Sequence, residues 1–161
     1  ARHLRGVAVP YDTVTETGWF RERILRGTFN DSISEAGGHL PLLLFHDHSR
    51  FPVGVSTEFD DAKEGLVATW EIDGDDPDAV RAADKVAKGM LTGLSVGFVP
   101  LEGTEEEDDD GALLITWGRA RLVEVSLTPT PAYAGAKLLD IHQRAPKVTP
   151  RLDELKSFLG R

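Results

Sequence analysis

The length, composition and charge of the chain exclude several classes of protein. Its 161 residues predict a single domain with a sizeable core, and the absence of cysteine excludes disulfide scaffolds, thiolate metal sites and cysteine nucleophiles. The formal charge of −9 argues against a nucleic-acid partner, because binding phosphates requires a basic surface. No apolar run is long enough to cross a bilayer, so no membrane partner is expected.

Short apolar segments separated by Gly, Pro, Asp and Asn predict a chain made mostly of β-strands. The strands are expected at 3–10, 19–25, 39–46, 52–60, 65–73, 90–100, 112–118 and 120–128. The continuous apolar runs at 39–46 and 90–100 are typical of central strands, and 52–60 with 65–73 is typical of a hairpin. Many short strands with few helices predict a β-rich α+β fold built on a largely antiparallel barrel or sandwich.

Two helices are expected within this set of strands. The first, at 28–36, begins at Thr28, which can act as the N-cap. The second, at 76–89, has Asp76 at the cap position and Pro77 at the first helical position. Both therefore begin with residues that favour a helix N-terminus.

The last part of the chain differs from the rest. A Pro-containing linker precedes an apolar-faced helix expected at 149–159, which divides the chain into a domain at 1–145 and a linker with a helix or tail at 146–161. An acidic run at 104–111 joins two strands. Densely spaced like charges repel and stay solvated, so this run is expected to be a disordered hairpin loop rather than a cation site.

Ser95 is the first candidate for chemistry, because GLSVGFVP at 93–100 predicts a buried strand. A hydroxyl in an apolar strand costs free energy unless it forms a hydrogen bond. Gly93 and Gly97 lie two residues to either side, on the same strand face, and are interpreted as clearing space for a substrate. The alternative is a barrel strand that needs glycine for curvature, with Ser95 bonded to the backbone.

His46 is the second candidate, at the end of the apolar run in LLLFHDHSRFPVG. Histidine can gain or release a proton near neutral pH, so His46 is a candidate general base, and the alternative is a polar residue where a strand leaves the core. His46 and His48, two residues apart on a strand, would share a face. A further alternative is therefore a metal hydrolase in which His46, Asp47 and His48 bind the metal. No third ligand is obvious nearby, so no metal is predicted.

Glu124 is the third candidate, and it shares a strand face with Leu122 and Ser126. On a solvated face it needs no partner, but a buried carboxylate needs a cationic one, and a histidine would serve. A serine nucleophile needs a base, histidine is that base, and a carboxylate orients the imidazole ring. Ser95, His46 and Glu124 therefore form a coherent set for hydrolysis without a cofactor.

Four segments resemble, in order and spacing, the prohead (capsid maturation) serine proteases of tailed bacteriophages, a family related to the herpesvirus assemblins. They are GVAVPYD with the later GTF, then LLLFHDHSRFPVG, GLSVGF and EVSLTPTPAYAGA, and they cover most of the chain. The resemblance implies a mostly antiparallel barrel flanked by a few helices, with Ser95 as nucleophile, His46 as general base and Glu124 as the orienting third member. In the assemblins a second histidine takes the third position.

The oxyanion donors are expected in the loop TPTPAYAG, which follows the Glu124 strand. Proline has no N–H, so Thr130 and Ala132 are the candidates there, and Gly93 and Gly97 beside the nucleophile are further candidates.

The resemblance also implies a place of action and partners. We expect an endopeptidase inside the assembling procapsid, in the host cytoplasm, that cuts scaffold or the scaffold-like arm of the major capsid protein and finally itself. A homo-oligomer, dimer or higher, is expected, and the segment 146–161 is expected to target the capsid or to be cut off. The alternative function is a catalytically inactive scaffold or binding domain of the same fold.

Overall fold

A computed structural model describes residues 2–142, which contain nine strands and two helices. The elements are β1 (His3–Pro10), β2 (Thr15–Glu16), β3 (Arg21–Ile24), α1 (Asn30–Glu35), β4 (Pro41–Leu44), β5 (Gly54–Asp61), β6 (Gly65–Ile72), α2 (Pro77–Ala87), β7 (Gly93–Glu107), β8 (Leu113–Thr128) and β9 (Lys137–His142). Neither helix in this part of the chain has the length and apolar character needed to cross a membrane. The helix expected at 149–159 lies outside the described residues, as does the whole segment 146–161.

Seven of the described strands close into a barrel in the order β8-β4-β5-β6-β1-β9-β7, because β7 pairs again with β8. Most neighbours are antiparallel, but β8 runs parallel to β4 within the barrel and parallel to β3, which extends the sheet together with β2. The predicted barrel flanked by helices is therefore confirmed. The two parallel pairings were not predicted.

Several strands differ from the prediction. The segments 112–118 and 120–128 form one strand, β8, because the ladder with β7 continues past Arg119 through bulges in the pairing. Strand β7 continues through Glu107, well beyond the expected end at residue 100. Strand β9 was not predicted, and it pairs with β1 along most of its length.

The acidic run at 104–111 is mostly strand, so the expected loop without regular structure is wrong for its first half. Arg21 and Arg23 of β3 form ion pairs with Asp108 and Glu106, and these cations offset the repulsion expected from the sequence. The Asp108 carboxylate also accepts two backbone N–H groups of the turn that follows. Pairing with β3 therefore explains why the hairpin extends this far.

The two helices begin differently. As predicted, Asp76 caps α2, where its carboxylate accepts the N–H of Asp78 at 3.0 Å. The predicted cap of α1 is wrong: the Thr28 hydroxyl contacts the carbonyl oxygen of Trp117 at 2.9 Å, and the helix begins two residues later. The Thr28 side chain is thus used to attach this segment to β8.

A single apolar core occupies the barrel and the space beneath the helices. Near the end of β8, Val125 and Leu127 belong to this core, and they lie opposite Val96 and Leu94 of β7. Side chains alternate between the two faces of a strand, so the intervening positions on both strands face away from this core. Three of the candidate site residues come from that other face or from the turn that covers it.

Candidate active site

His46 and Glu124 are in direct contact. Strand β4 lies beside β8, and His46 follows it in a turn that brings the imidazole Nδ1 against Oε1 of Glu124. The Glu124 side chain is only 1% exposed, whereas the imidazole is 41% exposed. A carboxylate accepts hydrogen bonds but does not donate them, so the contact assigns the proton to Nδ1 and leaves Nε2 as an acceptor that solvent or a substrate can reach.

The turn that carries His46 is strained. Phe45 and His46 have φ angles of 55° and 57°, in the left-handed region that costs a residue with a side chain roughly 1–2 kcal/mol. Strand β8 holds both residues in place: the Phe45 N–H donates to the carbonyl of Leu127 at 3.1 Å, and the His46 N–H donates to Oγ of Ser126 at 3.0 Å. Backbone strain that neighbours impose in this way is concentrated at functional sites.

This turn changes the interpretation of the neighbouring histidine. Strand β4 ends at Leu44, so the expectation that His46 and His48 share a strand face is wrong. Within residues 2–142, no group of three or more His, Asp or Glu side chains is arranged to hold a metal ion. His46 instead has a carboxylate partner on β8.

Ser95 lies directly opposite Ser126 in the β7–β8 ladder and is 6% exposed. Among the residues that the structure describes, its hydroxyl has no hydrogen-bond partner, whereas the buried hydroxyls of Ser32, Ser56 and Ser126 are all bonded. Its oxygen is not among the fully enclosed polar atoms that lack a partner, so it keeps some contact with solvent. A buried hydroxyl without a structural bond is available for chemistry.

The two glycines beside Ser95 have a different role from the one expected. A Cβ on Gly97 would lie 3.0 Å from Cδ and 3.1 Å from Cγ of Glu124. A Cβ on Gly93 would lie 2.6 Å from the carbonyl oxygen of Thr128 and 2.7 Å from Cδ of Pro131. The space beside both glycines is filled by protein, so the interpretation that they clear room for a substrate is wrong. Gly97 makes room for the carboxylate that contacts His46.

Two of the oxyanion candidates, Thr130 and Ala132, lie in the loop at 129–136 and differ in their surroundings. The N–H of Thr130 donates to Oγ1 of Thr128 at 3.1 Å, so it is already used within the loop, whereas Ala132 is exposed. The loop is anchored by Tyr133, whose buried O–H donates to Oε1 of Glu22 on β3 at 2.8 Å. Burial, followed by the charge of Glu22, raises the pKa of Tyr133, so the phenol stays protonated and remains a donor.

A groove of about 490 Å³ borders the His46 turn. Asp47 and His48 line it from the turn, and Asp76 and Asp78 line it from the start of α2. Neither Ser95 nor His46 is among its lining residues.

Ser126 was not predicted to be part of this site. Its side chain is fully buried, accepts the His46 N–H and donates to Oε2 of Glu124 at 2.8 Å. The sequence feature that could have identified Ser126 is its position two residues after Glu124, on the same strand face. A buried carboxylate needs hydrogen-bond donors, so a polar residue is expected beside it on the same strand face.

Solved structures with similar folds are herpesvirus proteases. The protease of Kaposi's sarcoma-associated herpesvirus, crystallised with a hexapeptide phosphonate inhibitor, matches with a TM-score of 0.51 and 12% identity over 89% of this chain, which spans 65% of that protease. Another structure of the same protease matches with a TM-score of 0.48 and 15% identity, covering 99% of this chain and 72% of that one. A third, with an allosteric inhibitor, has a TM-score of 0.49 and 16% identity, covering 99% and 88%. Comparison with curated protein sequences finds no match.

The family comparison covers nearly the whole described chain. The profile of the caudovirus prohead serine proteases matches residues 1–149, which include all four segments that carry the sequence resemblance. The resemblance is confirmed: this chain belongs to the caudovirus prohead serine protease family.

Proposed function

We propose that this domain is an active serine endopeptidase in which Ser95 is the nucleophile, His46 the general base and Glu124 the residue that orients the imidazole. The observation that carries the proposal is the contact between His46 Nδ1 and a buried carboxylate, beside a strand on which the Ser95 hydroxyl has no hydrogen-bond partner among residues 2–142. Membership of a serine protease family supports it, as does the phosphonate peptide inhibitor bound by the herpesvirus protease of similar fold.

In the proposed acylation step, Oγ of Ser95 bonds to the scissile carbonyl carbon while its proton passes to Nε2 of His46. The imidazolium then donates that proton to the leaving amine as the peptide bond breaks, and a water molecule repeats the sequence to release the acyl group. Glu124 keeps Nδ1 protonated and stabilises the imidazolium that forms. The exposed Ala132 N–H is our candidate for stabilising the oxyanion.

The proposed substrates are scaffold, or the scaffold-like arm of the major capsid protein, inside the procapsid in the host cytoplasm, and finally the enzyme's own segment at 146–161. Family membership supports action on capsid proteins. Deleting 146–161 is expected to leave peptide cleavage intact and to abolish packaging into the procapsid. Loss of folding on deletion would instead make the segment part of the domain.

The first test is covalent labelling of the purified protein with a fluorophosphonate, followed by peptide mass spectrometry. We expect one adduct, on Ser95, that is absent from Ser95→Ala and strongly reduced in His46→Ala. Ser56→Ala is the matched control, because Ser56 is fully buried on a different part of the barrel. Labelling of Ser56→Ala should equal that of the wild type.

The second test is co-expression with the cognate major capsid protein and scaffold, comparing the wild type with Ser95→Ala by mass spectrometry of the fragments. Fragments that disappear with Ser95→Ala would support the proposal and identify the cleavage sites. No adduct on Ser95, together with no cleavage by the wild type, would favour the inactive scaffold or binding domain.

A further inference from the structure

We propose that Ser126 is a positioning residue for the site, because its single hydroxyl fixes both the backbone of His46 and the carboxylate of Glu124. The inference rests on the proposed function, since it assigns Ser126 to the support of the same catalytic set. Ser126 does not contact the reacting atoms, and its role is to hold the general base and the orienting carboxylate in one arrangement.

The direction of each hydrogen bond at Ser126 is fixed by its partners. The His46 N–H can only donate, so Oγ of Ser126 accepts from it at 3.0 Å. Oε2 of Glu124, 2.8 Å away, is an acceptor, so the hydroxyl proton of Ser126 points to it. The backbone of the base and the carboxylate are thus connected through one atom with one allowed orientation.

Ser126 also determines how the Glu124 carboxylate is oriented. Oε1 contacts Nδ1 of His46 and Oε2 accepts from Ser126, so the carboxylate is held at both oxygens. Without the hydroxyl, Oε2 would lose this donor in a side chain that is only 1% exposed. The group could then rotate about its last bond toward other donors, and its contact with Nδ1 would no longer be fixed.

The backbone contact acts on the strained turn. Among the described residues, two backbone N–H groups of the turn, those of Phe45 and His46, donate to β8, and Ser126 accepts the second. Losing it would allow the positive φ of His46 to relax, because the left-handed conformation costs a residue with a side chain free energy unless its neighbours hold it there. The imidazole would then move away from the Glu124 carboxylate.

Ser56 provides a control for the simpler explanation that a buried serine merely satisfies polar groups. Its hydroxyl accepts the N–H of Leu40 at 2.8 Å and donates to the carbonyl of Gly38 at 2.6 Å, and the residue is fully buried, as Ser126 is. Each serine therefore accepts one backbone N–H and donates one hydrogen bond, to a carboxylate from Ser126 and to a backbone carbonyl from Ser56. Only Ser126 makes them to residues of the proposed site.

The experiment compares Ser126→Ala with Ser56→Ala in a peptide-cleavage assay. We expect kcat to fall about 10–100-fold in Ser126→Ala with KM changed less than about twofold, as for residues that hold a reactive group in position without contacting the substrate. Ser56→Ala should keep kcat within about twofold even if it lowers the melting temperature as much. Equal kcat in the two variants would overturn the proposal.

A second pair of variants separates the hydroxyl from packing. Ser126→Thr and Ser126→Val have nearly the same shape and differ in the hydroxyl, so they remain informative if Ser126→Ala does not fold. We expect Thr to retain most of the activity that Val loses. Equal activity of the two variants would show that the hydroxyl is not needed.

A readout that does not depend on turnover uses the Ser95→Ala protein. We expect a low-field proton resonance from the imidazole Nδ1–H in Ser95→Ala, preserved when Ser56→Ala is added and lost or broadened when Ser126→Ala is added. An intact resonance in the presence of Ser126→Ala would overturn the positioning role. If the wild type cleaves no peptide at all, the proposed function fails, while this spectrum still tests Ser126.

Discussion

Replacing Gly97 by alanine is expected to displace the carboxylate that contacts His46. The new Cβ would lie 3.0 Å from Cδ and 3.1 Å from Cγ of Glu124, and closer still to Oε1. The carboxylate is the end of a flexible side chain and can give way, so overpacking should cost about 1–3 kcal/mol of the free energy of unfolding. The moving oxygen is the one on Nδ1, and loss of an orienting carboxylate lowers kcat by up to roughly 10⁴-fold.

The overpacking cost is small and the loss of kcat is large, so Gly97→Ala is expected to fold but to lose most of its activity. A domain with roughly 5–15 kcal/mol of stability tolerates the expected strain, so partial unfolding cannot account for a 100-fold or larger loss. Gly103→Ala is the matched control, because its Cβ would lie 2.6 Å from Cε3 of Trp117 in the same β7–β8 ladder, on a residue outside the site.

The assay measures kcat/KM on a cleavable peptide and the urea midpoint for both variants. We expect both midpoints to fall and only Gly97→Ala to lose kcat/KM by on the order of 10²-fold or more. A kcat/KM for Gly97→Ala close to that of Gly103→Ala would refute the reasoning, because the carboxylate would then have moved without consequence for the base.

Three further outcomes follow from the structure. Burial raises the pKa of both tyrosines of the chain, Tyr11 and Tyr133, above that of the unfolded chain, so the stability that these protonated phenols contribute is complete below about pH 10 and is lost progressively above it. Phenolate absorbance should rise only together with the loss of circular dichroism, and ionisation of the native protein would contradict this. Phe45→Gly should raise the free energy of unfolding by about 0.5–1 kcal/mol in chemical denaturation, because it relieves a positive φ at an exposed residue, and a decrease would argue against strain in the turn. Arg21→Gln should speed amide exchange around Asp108, and salt should reproduce this effect in the wild type because it screens the ion pair; unchanged exchange would show that the ion pair does not order the hairpin.

The three proposed catalytic residues were identified from the sequence because each breaks an apolar pattern. A hydroxyl in a buried strand, a histidine at the end of an apolar run and a carboxylate that alternates with core positions all require partners. Desolvation alone predicts that a buried Glu124 needs a cationic partner such as histidine, and the structure brings His46 to it. What the pattern does not contain is the conformation of the turn: Phe45 is a bulky residue type that rarely adopts a positive φ, so no turn was predicted there.

The pairing partners of β8 could not be predicted from the sequence either. Its parallel neighbours β3 and β4 come from distant parts of the chain, and Leu43 lies opposite Ser126. Parallel strands are not joined by a short turn, so no local sequence signal predicts their pairing. The same distant pairing explains the acidic hairpin, where the cations that stabilise it belong to β3. The role of Gly97 was misread for a related reason, since the group that fills its space lies on another strand.

The position of β8 has a consequence for how the enzyme becomes active during folding. This strand contacts β7 on one edge and β3 and β4 on the other, and the three residues of the proposed catalytic set come from β7, from β8 and from the turn after β4. These contacts join segments that are far apart in the chain, and such non-local pairing forms slowly because loop-closure entropy must be overcome first. We therefore expect a newly synthesised chain to bring the three proposed catalytic residues together only after β4, β7 and β8 have assembled.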